Sequence, residues 1–86
     1  MQIQLINGTF NIAEAEELLT AIFKTKIAFY EKRIDIINES EEDIKHSEKK
    51  ILQLEQTLRE TIKKMKENGQ TRTSLNAHIE VKHIPG

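Results

Sequence analysis

The side chains of this chain that could do chemistry are three histidines, a run of acids, a cluster of cations and a few aromatics. His46, His78 and His83 could ligate a metal, but that requires imidazoles converging on one point. His78 and His83 lie five positions apart in a segment with strand alternation, which points them to opposite faces. His46 stands in a polar helical position with no histidine four residues away and no HExxH motif. All three read as solvated, and no metal site is expected. Glu41, Glu42 and Asp43 could supply general acid–base chemistry or hold a divalent cation. Consecutive residues on a helix fan over about 200°, however, so they do not converge. No D-x-D-x-D-G loop accompanies them either. Helix capping and solubility explain these acids, and no catalytic residue is expected.

Lys63, Lys64 and Lys66, with Arg59 and Arg72, are five cations against the two acids Glu60 and Glu67, a local excess of three. Such a patch could touch phosphate. No aromatic platform is interleaved with it and no Gly-rich loop cradles a phosphate, so neither nucleic-acid recognition nor cofactor binding follows. Phe23, Phe29 and Tyr30 could line a ligand box, but at helical spacing on an apolar face they read as core or interface.

The whole chain sets the frame for these side chains. Eighty-six residues, 37% hydrophobic and 31% charged, suit one small domain over residues 1–86, with little depth for a catalytic cleft. A net charge of −1 gives no field to gather nucleic acid or anionic lipid. The absence of cysteine removes disulfides, thiolate zinc sites and thiol nucleophiles, and agrees with a reducing compartment. The start, Met1 to Gly8, lacks a basic region followed by a sustained apolar run, and no apolar stretch is long enough for a membrane span. A soluble, cytoplasmic protein without membrane association is expected. Asn7-Gly8-Thr9 matches a glycosylation sequon, which is read as chance.

Three zones follow along the chain. Residues 11–68 contain neither Gly nor Pro, which favours helix. Asn11 with Glu14 forms a capping box at the start of a first helix over 11–37. Ile12, Ala15, Leu19, Ile22, Phe23, Ile27, Tyr30, Ile34 and Ile37 recur at spacings of three and four, and Leu18, Phe29 and Ile36 widen the face to roughly half the circumference. Ser40 with Asp43 marks a second start, for a helix over 41–68. Its stripe of Ile44, Ile51, Leu54, Leu58, Ile62 and Met65 is narrower, close to a coiled-coil seam, and Ser47 and Thr61 dilute it. Glu41–Lys45, Glu55–Arg59 and Glu60–Lys64 are spaced for i,i+4 pairing, and Gly69 supplies a left-handed stop. At the termini, Ile3 and Leu5 alternate with glutamines, as do Leu75, Ala77, Ile79 and Val81 with polar residues. The expected strands lie within 1–10, with a loop, and 74–84, and they could pair within or between chains, 1–6 against 77–84.

Two architectures fit this pattern. Phe23, Tyr30, Ile37, Ile44, Ile51, Leu58 and Met65 keep a seven-residue spacing that one continuous long helix would show. Against it, the companion positions Glu41, Glu48 and Glu55 spoil half the seam, and Asn38-Glu39-Ser40 favours a turn. The expected fold is therefore mainly α, an antiparallel, coiled-coil-like helical hairpin with short terminal strands. The surplus width of the first apolar face points to a non-enzymatic interaction or assembly module. It would self-associate as a homodimer through Ile22, Phe23, Ile27, Phe29, Tyr30, Ile34 and Ile37, pairing hairpins into a four-helix bundle. The alternative is a small regulatory or antitoxin-like adaptor that binds a distinct protein partner.

Overall fold

A computed structural model of the protein describes residues 1–36, 41–67 and 69–85, leaving aside the side chains of residues 35, 36 and 42. The chain is a strand, two helices and a strand: β1 (Gln2–Asn11), α1 (Ile12–Ile36), α2 (Glu41–Glu67) and β2 (Arg72–Glu80). Ile37, the Asn38-Glu39-Ser40 segment and the Ser40 cap lie outside the described residues.

β1 runs into α1 with no loop between them, and the junction is chemically explicit. The Asn11 backbone N–H donates to Glu14 Oε1 at 3.1 Å, and the Glu14 N–H donates to Asn11 Oδ1 at 2.8 Å. This is the reciprocal capping box that the Asn11–Glu14 spacing predicts, satisfying two amides that the first helical turn leaves without partners. The expected loop within residues 1–10 is not formed. Asn11 is at once the last strand residue and the cap of the helix.

α1 and α2 fold back on each other as a helical hairpin. Glu16 near the start of α1 meets Lys66 near the end of α2, with a closest N···O distance of 3.1 Å. One continuous helix would hold these residues far apart, since each residue adds about 1.5 Å of length. The seven-residue spacing from Phe23 to Met65 is therefore shared between two antiparallel helices. Half-buried Ile44, Ile51, Leu54, Leu58, Ile62 and Met65 form the inner stripe of α2, as expected. Thr61 is also half-buried, and its hydroxyl donates to the Thr57 carbonyl at 2.7 Å, so the polar atom is satisfied where the stripe is diluted. The expected pairs Glu41–Lys45, Glu55–Arg59 and Glu60–Lys64 do not close within 4 Å among the described residues. Lys63–Glu67 does, at 3.8 Å, while Glu60 accepts from the Gln56 amide at 3.1 Å. Beyond Glu67, Gly69 has φ of 62°, the left-handed stop its position predicts.

The two strands pair antiparallel within the chain. Their ladder is longer at the helix end and shorter at the far end than the expected 1–6 against 77–84. Asn11 pairs with Arg72, Gly8 with Leu75, Ile6 with Ala77 and Gln2 with Glu80. β2 stops at Glu80, so His83 and Ile84 lie beyond it. Met1 and Val81 extend the ladder by exchanging main-chain bonds of 3.0 and 2.7 Å.

The register contains one irregularity, between Gln4 and Ile6. Gln4 opposes His78 and Ile6 opposes Ala77, so Leu5 is an extra residue without a partner, a β-bulge. Its consequence follows from the period of two. Ile6, Gly8 and Phe10 share one face, and a regular strand would put Ile3 on the other. The bulge resets the phase, so Ile3 joins Ile6 and Phe10 opposite Ile79, Ala77 and Thr73. The expectation that Ile3 and Leu5 share a face is thus corrected. Gln2, Gln4, Asn7 and Thr9, with Ser74, Asn76, His78 and Glu80, make the other face wholly polar.

The ribbon joins the helices at the start of α1, where the Ile12 N–H donates to the Thr71 carbonyl at 3.3 Å, and its further contacts with α1 are few. Ala15, at this junction, is the one described hydrophobic side chain that is fully buried. The radius of gyration is 16.0 Å, against about 12 Å for a compact domain of this length.

Candidate interaction surface

The wide apolar face of α1 is divided by its neighbours. On a wheel of 100° per residue, the side toward α2 is marked by Glu16, which meets Lys66, and by Tyr30, which lines an interhelical groove with Leu54 and Thr57. Leu19, Phe23 and Ile34 fall on this arc and are half-buried, and half-buried Ile27 lies at its edge. Ile22 and Phe29 fall instead on an outer flank with Leu18, away from α2. Of the seven residues expected at an interface, four therefore lie on or beside the arc facing α2, two lie on the outer flank, and Ile37 is outside the described residues.

The outer flank has a pronounced relief. Phe29 is 56% exposed. Its ring stands edge-on to Tyr30, with centroids 5.8 Å apart and planes at 76°, and the Arg33 guanidinium lies 5.8 Å from the Phe29 centroid. Both contacts hold the ring in a defined, outward position, and the cation–π contact places a positive charge beside it. Toward the other end of the helix, Phe10 of β1 approaches α1 and closes a corner. Phe10, Leu18 and Ala21, with the carboxylate-bearing Glu14 and Glu17, line a concavity of about 400 Å³ there. Between corner and ring, Thr25 donates its hydroxyl to the Ala21 carbonyl at 2.9 Å, leaving its methyl group as the outward chemistry.

Comparison of the chain with protein-family models, curated proteins and solved structures returns no match in any of the three.

On the side of the hairpin next to the outer flank, the helices leave a polar groove of about 240 Å³ lined by Lys26, Tyr30, Lys50, Gln53, Leu54 and Thr57. His46 and Lys49 continue it along α2. Lys26, Lys49 and Lys50 have no carboxylate within 4 Å among the described residues, so this side of the hairpin is cationic. The cluster of Arg59, Lys63, Lys64, Lys66 and Arg72 is broken up by comparison. Lys66 is held by Glu16, and Lys63 by Glu67. The three histidines are separate: His46 is on α2, His78 on the polar face of the ribbon opposite Gln4, and His83 beyond β2. The acids Glu41 and Asp43 sit in the first turn of α2, where the helix dipole favours them.

The ribbon adds a second apolar surface that the sequence pattern showed only in part. Ile3, Leu5, Ile79 and Val81 are all more than two-fifths exposed. Except for Leu5 in the bulge, these residues lie on the ribbon's single apolar face, which continues through Ile6 to Phe10 and the corner. No helix among those described is long and apolar enough to cross a membrane.

Proposed function

We propose that the protein is a non-enzymatic assembly module that works as a homodimer, joined through the outer flank of α1 and helped by the apolar face of the ribbon. The observation carrying this reading is the amount of surface left uncovered. The chain exposes 7052 Å², whereas a compact monomer of this mass exposes about 5,200 Å², so the excess is roughly 1,800 Å². A standard interface buries about 800 Å² on each partner, and obligate homodimers bury more. The excess is thus of the size a permanent subunit contact removes, and part of it is apolar: Phe29, Ile3, Ile79 and Val81.

The spacing of the outer flank supports the same reading. Leu18, Ile22, Thr25, Phe29 and Lys32 follow intervals of four and three, the heptad seam of coiled-coil-like packing. A second hairpin on this seam would complete a four-helix bundle with two-fold symmetry. Sedimentation equilibrium at tens of micromolar tests the proposal. Twice the chain mass is expected, and a folded monomer at the chain mass would overturn it.

A further inference from the structure

We infer that the polar groove between the helices is a binding site for a small polyphosphorylated anion, with one phosphoryl group held between Lys26 and Lys50 and the next by Lys49 and His46. The groove belongs to a single hairpin, so this reading is independent of self-association. Helical spacing assembles it. His46, Lys50, Gln53 and Thr57 recur at intervals of four, three and four, which makes one stripe along a flank of α2. Lys26 and Tyr30, four apart on α1, face that stripe across the groove. The two concavities, of about 240 and 130 Å³, adjoin because Lys50 and Gln53 line both. Each is several times the space a single water needs.

The lining is one-sided in charge. It holds no carboxylate, and Leu54 is its single apolar residue. None of its lysine, hydroxyl or amide side chains has a hydrogen-bond or ion-pair partner among the described residues. Thr25, Thr61, Gln56 and Lys66, by contrast, are engaged within the chain. The nearest acids on this side among the described side chains are Asp43 and Glu60. They lie beyond the two ends of the stripe and have partners of their own, for Glu60 the Gln56 amide at 3.1 Å. Glu41, Glu48 and Glu55 stand on the far side of α2, with Glu48 about 160° around the wheel from Lys50. Clustered cations without a counter-charge repel one another, so the free groove gains by taking up an anion.

The donor set selects the kind of anion. Ammonium, hydroxyl and amide groups from both helices act as separate donors, which suits the several oxygens of a tetrahedral phosphoryl group. A planar carboxylate is served better by the fork of an arginine. Lys50 and Gln53, shared by both concavities, bridge adjacent phosphoryl groups in this arrangement. Lys50 and His46 are one helical turn apart, about 5–6 Å along the axis, so the second group sits close to the first. A nucleic-acid strand fits less well. Tyr30 is the sole aromatic side chain of the groove and is half-buried, so it gives bases no platform for stacking.

Titration of tripolyphosphate into the 86-residue chain at low salt, by calorimetry and by heteronuclear NMR, tests the site. Saturable binding below about 1 mM is expected, with amide shifts centred on Tyr30, Gln53 and Thr57. Lys26→Gln with Lys50→Gln should weaken binding by about tenfold. Lys24→Gln with Lys45→Gln removes the same charge away from the groove and should change it by less than about twofold. All four lysines are exposed, so circular dichroism should stay that of the wild type. Inorganic phosphate and citrate are each expected to bind at least about tenfold more weakly than tripolyphosphate. Adenosine triphosphate carries the same groups on an organic body, and its affinity relative to tripolyphosphate tells a nucleotide source from a condensed phosphate. No binding, equal losses in the two double variants, or shifts spread over lysines outside the groove would overturn the site. Citrate as tight as tripolyphosphate would overturn the phosphoryl preference, and a single phosphate as tight would overturn the paired groups. A single-stranded oligonucleotide that binds more tightly than tripolyphosphate would overturn the small ligand in favour of nucleic acid.

Discussion

Gln4 does for the ribbon what a ladder bond would otherwise do. Its Nε2 donates to the Ile6 carbonyl at 2.8 Å and to Asn76 Oδ1 at 2.6 Å, and it lies 3.3 Å from the Ala77 carbonyl. Two amide protons thus serve acceptors on both strands beside the unpaired Leu5. Replacing Gln4 by alanine removes these bonds and should lower the unfolding free energy by about 1 kcal/mol. Gln4→Glu should cost more at neutral pH, because a carboxylate would face three oxygen acceptors with no proton to give. Urea denaturation separates the three proteins, and equal midpoints would show that the clamp contributes nothing. The clamp was not legible in the sequence, since a glutamine at an alternating position reads as an ordinary solvated residue. Asn11, Glu14 and Gly69 were legible, because capping and left-handed backbone depend on residue type and near neighbours alone.

Among the elements, the ribbon departs furthest from its expected form, and the departure has a local cause. Ile3 and Leu5 alternate in one phase, and Ile6 and Phe10 in the other. Read in isolation, the first phase suggests a short strand ending near residue 6. The bulge at Leu5 joins the two phases into one strand with one apolar face. Deleting Leu5 would make Gln4 and Ile6 consecutive in a regular ladder and leave every observed pair in place. Such a deletion is expected to change stability by less than about 1 kcal/mol. Inserting an alanine between Gly8 and Thr9 should cost more than that, since it turns Ile3 and Ile6 to the polar face or demands a second bulge. Thermal melts of the two variants decide the matter; a deletion as damaging as the insertion would contradict this account. The helices were easier to read because their period persists over 25 and 27 residues, which averages out single exceptions such as Thr61. The width of the α1 face was legible as well. Which flank α2 would occupy was not, because either would suit a narrow seam, and the choice depends on tertiary contacts such as Glu16 with Lys66.

For the whole molecule the governing quantity is how little the isolated chain buries. Ala15 alone among the described hydrophobic side chains is fully removed from solvent, so the isolated chain has little core to hold it folded. If the second copy supplies the missing burial, folding and association are one equilibrium, and stability depends on protein concentration. A tenfold increase in concentration adds about 1.4 kcal/mol per dimer. At about 2–4 °C per kcal/mol for an assembly of this total size, Tm should rise by roughly 3–6 °C. The cationic groove of Lys26, Lys49 and Lys50 lies beside the seam, so added salt should screen its repulsion and preserve that concentration dependence. Differential scanning calorimetry across a hundredfold range of concentration measures the slope directly. A Tm that stays constant across it would mean that the hairpin and ribbon are stable without a partner, despite the surface they leave open.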